Sequence, residues 1–338
     1  MQHTNESAAR YIAKKLGQLI LTLFVLSLIV FFVSRIAPGD PMKAYYGEAI
    51  EKMSIEQVED ARERLGLNES LVSQYVKWAG NALRGDFGIS YIYKRPALDV
   101  VGEVYHNTLL LAGVSFALIF ILGLLLAVFC VKHEGDRIDR AICKIGVATN
   151  SVPEFFMALI VILIFAVNLG LLPLSGAQDL GGGGVIKHLI LPVTAIVASH
   201  LWYCAYLMRN KLSDEVRKEY ILLCRVKGLT ENQIIWKHCM RNIMPAVVSI
   251  MAIFLPHLLG GAYVIEMVFS YPGLGKLGVE SAQYHDYNML MLICLITGAS
   301  VIIANMIAQV VNEKLDPRFK HEEVAEDDGS ASDREVEV

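Results

Sequence analysis

The sequence predicts an all-α integral membrane protein of six spanning helices, with a helical subdomain outside the membrane after the first. Three observations carry that expectation. The 338-residue chain is 54% hydrophobic and 19% charged, whereas a soluble domain carries nearer a quarter charged residues. Its mean hydropathy is +0.46. The apolar residues are gathered into six long blocks, each close to the roughly 20 residues that a helix needs to cross the hydrocarbon layer.

The blocks are residues 16–34, 108–131, 153–172, 189–208, 244–265 and 290–311, and Glu154 is the one Asp, Glu, Lys or Arg inside them. Arg10, Lys14 and Lys15 precede the first block as they would a secretory signal. Its apolar core is longer than a signal's, however, and "RIAPGDP" follows where a small-residue cleavage site would stand, so it reads as a retained helix.

Orientation follows from the short loops, because Lys and Arg favour the cytoplasmic side. The tail at 1–15 is basic. Lys132, Arg137, Arg140 and Lys144 follow the second helix, and Arg209, Lys211, Arg217, Lys218, Arg225, Lys227, Lys237 and Arg241 follow the fourth. The opposite short loops hold only Lys187 and Lys276. Both termini are predicted to be cytoplasmic.

The external segment 35–107 reads as a small ordered subdomain. In "SIEQVEDARERLGL", Ser54 and Gln57 form a capping-box pattern. Ile55, Val58, Ala61 and Leu65 share a face, and Gly66 is a natural stop. "SLVSQYVKWAGNAL" is a second amphipathic piece. The glycine-rich "SGAQDLGGGGVIKH" reads as a slack connector, and the acidic tail 321–338 as disordered. The six cysteines leave the external loop empty and show no metal-ligand spacing, so neither a disulfide framework nor a metal site is expected.

The cytoplasmic segment 209–243 divides into two short helices. Ser213 can cap the first, with Asp214 and Glu215 where the positive helix end favours acids, and Gly228 ends it. Thr230 with Gln233 begins the second, and Pro245 marks entry into the next span. Val216, Tyr220 and Leu223 lie to one side of the first helix, and Ile234, Ile235 and His238 near one face of the second. Charged neighbours hold the segment in water, so those faces call for a protein groove or a lipid surface.

"KEYILLCRVKGLTENQIIWKHCMRNIMPAVVS" resembles the ATPase-contacting loop of ABC-importer permeases of the dipeptide/oligopeptide/nickel subfamily. "RIAPGDP", "LRGDFGIS", "VIEMVFSYPGLGKL" and "LDPRF" extend the resemblance over residues 10 to 320. It implies a type I importer permease core over 108–320 in a prokaryotic plasma membrane, forming half of a passage with a second homologous permease subunit. Two cytosolic ABC ATPases would drive it, an extracytoplasmic substrate-binding protein would deliver cargo, and lipid would surround it. Di- and oligopeptides are the implied cargo, with nickel or a metal chelate as the alternative. The resemblance makes the stretch around Gly228 a coupling helix seated in an ATPase cleft. Leu229 and neighbouring side chains would fill the socket, while Arg225, Lys227 and His238 would make polar contacts, with Glu219 and Asn242 among the coupling residues. One departure stands out: where the broad consensus has Glu-Ala-Ala, this chain has Leu222, Leu223 and Cys224, and the nearest acid is Glu219.

No phosphate-binding G-x-x-x-x-G-K-[ST] stretch occurs. "SYPGLGKL" has Ser270 in place of the first glycine and Leu277 in place of the hydroxyl. ATP and magnesium are therefore assigned to partner subunits, with no cofactor bound here and no catalytic residue. Parts of the sequence also fit two other classes. An intramembrane serine protease would use Ser115 with His200 or His257. An ion-coupled carrier would use intramembrane ionisable groups such as Glu154, His200 and His257, with Asn168, Asn305 and Gln309 as polar neighbours. In a permease the passage-lining candidates are His200, His257 and Asn305, His257 first because Pro256 frees backbone groups beside it. H-E-x-x-H is absent, and the basic residues serve orientation, leaving nucleic-acid binding unsupported.

Overall fold

The computed structural model describes residues 2–36, 40–176 and 184–315. The acidic tail, the centre of the glycine connector and most of "LDPRF" lie outside them. Among the described residues the named elements are all helical, and the extended pairing is one antiparallel bridge between Ile89 and Pro96.

The chain runs through α1 (Gln2–Ile36), α2 (Pro41–Tyr46), α3 (Ile55–Arg64), α4 (Leu71–Ala82), α5 (Ala97–Lys132), α6 (Arg137–Thr149) and α7 (Glu154–Val161). It continues through α8 (Val185–Val216), α9 (Glu219–Val226), α10 (Glu231–Gln233), α11 (Met240–Val268), α12 (Leu274–Gln283) and α13 (Tyr287–Leu315). Five stretches are long and apolar enough to cross a membrane: Lys15–Ile36, Ala97–Lys132, Val185–Val216, Glu231–Val268 and Tyr287–Val311. A sixth exists if α6 and the helix beginning at Glu154, bent by 114°, are taken as one span.

The third span differs from a straight helix. α7 holds 8 residues and continues as a π-helical segment of 7, Ile162–Asn168, which at 1.5 Å per residue reaches only about 22 Å. Pro153 sets its start, since it donates no amide and disfavours helix in the residue before it. Gly170, at φ +60°, follows its end.

The chain divides into two compact units. The first comprises residues 1–110, 175–188 and 262–302. Its core packs Ala97, Val100 and Val101 of α5 against Leu274 and Leu277 of α12 and Met289, Leu292 and Ile293 of α13. In α3 the Ser54–Gln57 capping box forms, and Gly66 at φ +67° closes the helix. Ala61 is buried and Val58 and Leu65 are half-buried. Ile55, expected on the same face, is exposed because it occupies the first helical position.

The "EMVFSYPGLG" stretch folds back on itself in this unit. The buried Glu266 carboxylate accepts the Gly275 amide at 2.6 Å, and Thr108 Oγ1 accepts the Leu274 amide at 2.9 Å. The start of α12 thus has its free N–H groups met by an acid, the favoured sign at a positive helix end. Both glycines are needed for close approach. A Cβ on Gly273 would lie 2.2 Å from the Glu266 carboxyl, and one on Gly275 would lie 2.3 Å from Tyr263 Cα.

The second unit comprises residues 111–174, 189–261 and 303–338. Its helices approach closely at small residues, the usual device where lipid removes the hydrophobic drive between helices. A Cβ on Gly146 of α6 would lie 2.7 Å from the Trp202 carbonyl of α8, while Gly123 of α5 sits at ordinary contact distance from Met208.

Candidate functional site

The segment between α8 and α11 lies wholly within the second unit. α8 runs through Ser213 to Val216, so Ser213 is not the cap expected of it. Its hydroxyl instead donates to Glu134 at 2.6 Å. α9 starts at Glu219 behind Lys218, whose backbone is extended and whose side chain makes no capping bond. Beyond α9, Gly228 sits at φ +77°. Its amide donates to the Arg225 carbonyl at 2.9 Å and the Leu229 amide to the Cys224 carbonyl at 3.2 Å. Together they make the paired bonds of a Schellman stop, which a glycine adopts without strain. Thr230 and Gln233 then form a complete capping box. Helix resumes as a π-helical turn, Ile234–Cys239, and passes into α11.

Two clusters hold this segment. Glu215 is 5% exposed and accepts from the Tyr220 hydroxyl at 2.7 Å and the Asn242 amide at 2.8 Å, while pairing with Lys218 at 2.5 Å. Asn242 also donates to the Tyr220 oxygen at 3.1 Å. Burial and the bond to Glu215 push the Tyr220 hydroxyl above its usual range. In the second cluster Glu134 receives Ser213, Arg217 at 2.7 Å and Arg209 at 3.3 Å, and Arg209 also pairs with Asp139 at 2.8 Å. The Ser213 hydroxyl, and then Arg217 and Arg209, hold Glu134 below the usual carboxylate range.

The faces of α9 are arranged differently from the sequence expectation. Ile221 and Cys224 turn inward, Tyr220 is half-buried, and Leu223 turns outward. Leu222 at 67%, Leu223 at 56% and Val226 at 77% exposure form an apolar outer surface beside the exposed Arg225 and Lys227. The tertiary anchor at Glu215 sets this rotation. Ile234 and Ile235 are buried, His238 and Leu229 half-buried, and Glu219 and Gly228 exposed. Asn242 is itself exposed and braces the segment through its amide bonds to Glu215 and Tyr220. The acid that anchors it is Glu215, which the sequence marked only for its place near a helix start.

Among the passage candidates the structure joins His200 to Glu154, Nε2 to Oε1 at 2.6 Å, across α7 and α8. The His200 ring meets Phe254 edge-on at 6.0 Å. Gly261 leaves room for this pair, since a Cβ there would lie 2.3 Å from Glu154 Oε2. His257 and Asn305 are exposed on their own helices, away from any bond to the pair. Ser115 is fully buried, and its hydroxyl has no hydrogen-bond partner. The serine-histidine bond a protease would use is therefore not formed. In "SYPGLGKL" the amides of Leu274 and Gly275 are taken by Thr108 and Glu266, so that turn is not arranged as a phosphate cradle.

Five or six membrane-length helices and no strand among the described residues define a helical membrane protein. The chain belongs to the family described as binding-protein-dependent transport system inner membrane component, whose model matches residues 119–321, with the family's N-terminal model matching residues 8–112. Among similar chains is the oligopeptide transport system permease protein AppB of Bacillus subtilis strain 168. It is 33% identical over 318 residues, covering 93% of this chain and 100% of that one. The glutathione transport system permease protein GsiC of Escherichia coli K12 is 32% identical over 311 residues, covering 92% and 99%. A structure of the MetNI methionine ABC transporter, inward facing, matches with a TM-score of 0.50 at 22% identity over 63% of this chain and 96% of that one. That likeness shows the fold. The chain is thus the inner-membrane permease component of an importer that works with ATPase subunits and a binding protein.

Proposed function

We propose that this permease imports di- or oligopeptides, forming half of the passage with a second permease subunit, and that two cytosolic ATPases drive it through the loop around Gly228. The peptide cargo is supported by relatives named for oligopeptide and glutathione transport that align over nearly their whole length. Neither of these relatives is named for nickel.

The observation that carries the coupling role is the outward apolar surface of Leu222, Leu223 and Val226 on α9. Charged neighbours keep this helix in water, where an exposed apolar cluster marks a partner site. The bonds to Glu215 and the Gly228 stop present it as a rigid body, which a moving partner can pull without melting it. Arg225 and Lys227 flank the cluster and supply polar contacts at its edge, with Leu229 and His238 behind. In this reading both termini face the cytosol and the 35–107 subdomain faces the delivering protein.

The test is reconstitution. The chain with its companion permease, ATPases and binding protein in proteoliposomes should accumulate labelled tripeptide at the expense of ATP. Gly228→Val should abolish peptide-stimulated ATP hydrolysis while leaving membrane insertion intact. Unimpaired transport by that variant, or uphill uptake by this chain alone, overturns the reading.

A further inference from the structure

In the first unit, a cleft of about 500 Å³ opens between the end of α1 and helices α3 and α4. Its size lies within the range of small-ligand pockets. Arg35, Tyr45, Arg64, Lys77, Trp78 and Tyr91 are on its wall. Two of them bring a buried N–H that no group accepts: Nε of Arg35 and Nε1 of Trp78. Indole and guanidinium are donors only, so whatever completes this wall has to be an acceptor. The Arg35 plane is already fixed, 4.7 Å over the Tyr287 ring and 5.2 Å over Phe31. Stacked this way, a guanidinium presents its edge for hydrogen bonding.

Charge points in the same direction. Of the lining charges Lys77 and Glu69 neutralise each other, which leaves Arg35 and Arg64 against Asp86. Glu69 is bound to Lys77 and Ser73, and Asp86 accepts the Gly88 amide at 2.9 Å. The wall therefore keeps an excess of positive charge around its unmet donors, with the rings of Tyr45, Tyr91 and Trp78 supplying apolar surface beside them.

We propose that this cleft is a subsite for the free carboxylate of a peptide-like cargo, its charge met by the Arg35 edge with Trp78 as a second donor and Arg64 as a flanking cation. The choice of a peptide as ligand rests on the import reading above; the preference for a carboxylate rests on the cleft alone.

The experiment uses the full chain in lipid nanodiscs with ¹⁵N-labelled indoles. The chain has three tryptophans, and Trp78→Phe assigns the Trp78 resonance by its loss. Trialanine should move the Trp78 indole N–H resonance downfield, and trialanine amide should leave it in place. Arg35→Gln should weaken the trialanine titration by about tenfold or more, the loss expected of a charge-assisted bond. Arg64→Gln, at an exposed position, should weaken it several-fold. The proposal is overturned if acid and amide act alike, if trialanine leaves the Trp78 resonance unmoved, or if Arg64→Gln titrates as the parent does. No ATPase enters the measurement, so a chain that binds trialanine without importing it, or the reverse, separates this proposal from the import reading.

Discussion

Glu215 and Asn242 are 27 positions apart in sequence, yet the Asn242 amide donates to the Glu215 carboxylate at 2.8 Å. The bond closes the ends of the segment that carries α9, the Gly228 turn and the second short helix, making one rigid piece of two. Glu215 is nearly inaccessible, so Asn242→Ala leaves a buried carboxylate short of one donor, a loss of about 1.5–3 kcal/mol for a bond to a charged group. We expect amide hydrogen exchange across 219–243 to quicken in that variant. ATP hydrolysis should continue while peptide uptake per ATP falls. Uptake per ATP equal to the parent's would show that the brace does not transmit force.

Gly228 offers a graded test of the same idea. An added Cβ there meets nothing within 4 Å, and the constraint is φ +77° alone. A β-branched residue in this left-handed region costs about 1–3 kcal/mol, whereas asparagine tolerates it. Gly228→Asn should therefore retain most coupling and Gly228→Val little. Equal loss in both would point to a steric role for Gly228 in a partner cleft, in place of a conformational one.

Much of this segment was legible in the sequence because its punctuation is local. The Thr230–Gln233 box, the Ser54–Gln57 box and the Gly66 and Gly228 stops are set by bonds spanning a few residues, which spacing alone reveals. Ser213 misled because its partner, Glu134, is 79 positions away. The rotation of α9 was hidden for the same reason: Glu215 and Asn242 fix it through the tertiary fold, so Leu223 faces out although periodicity placed it with Tyr220. The span 153–172 was visible by composition, but the π-helical winding of its second half was not. Glu154 and His200 each stood out as polar residues in apolar runs, and only the fold shows that they meet.

Acid should loosen the other clamp. Glu134 has its folded pKa depressed by Ser213, Arg217 and Arg209, so its stabilising effect is present at neutral pH and above the usual carboxylate range. It is lost as pH falls through the depressed folded value. Hydrogen exchange near residues 133–136 should accelerate below that range in the parent. In Glu134→Gln exchange should already be fast at neutral pH and respond little to acid. An identical acid response in the two would assign the effect to another group.

Glu154 and His200 give the last prediction. The pair bridges α7 and α8 at 2.6 Å, and Gly261 of α11 lies so close that a Cβ would stand 2.3 Å from Glu154 Oε2. Gly261→Ala therefore cannot be accepted without moving the carboxylate or the helix, and overpacking of this kind costs about 1–3 kcal/mol. His200→Ala disturbs the pair differently, leaving the acid without its partner in an apolar setting, where an unpaired charge is costly. If the pair is a fastener among three helices, both variants should lower thermal stability of the purified permease, and Glu154→Gln, which can still bond to the imidazole, should recover most of it. Peptide uptake should then follow stability across the series. If uptake collapses in Glu154→Gln while stability stays at the parent level, the carboxylate charge itself serves transport, and the pair belongs to the passage.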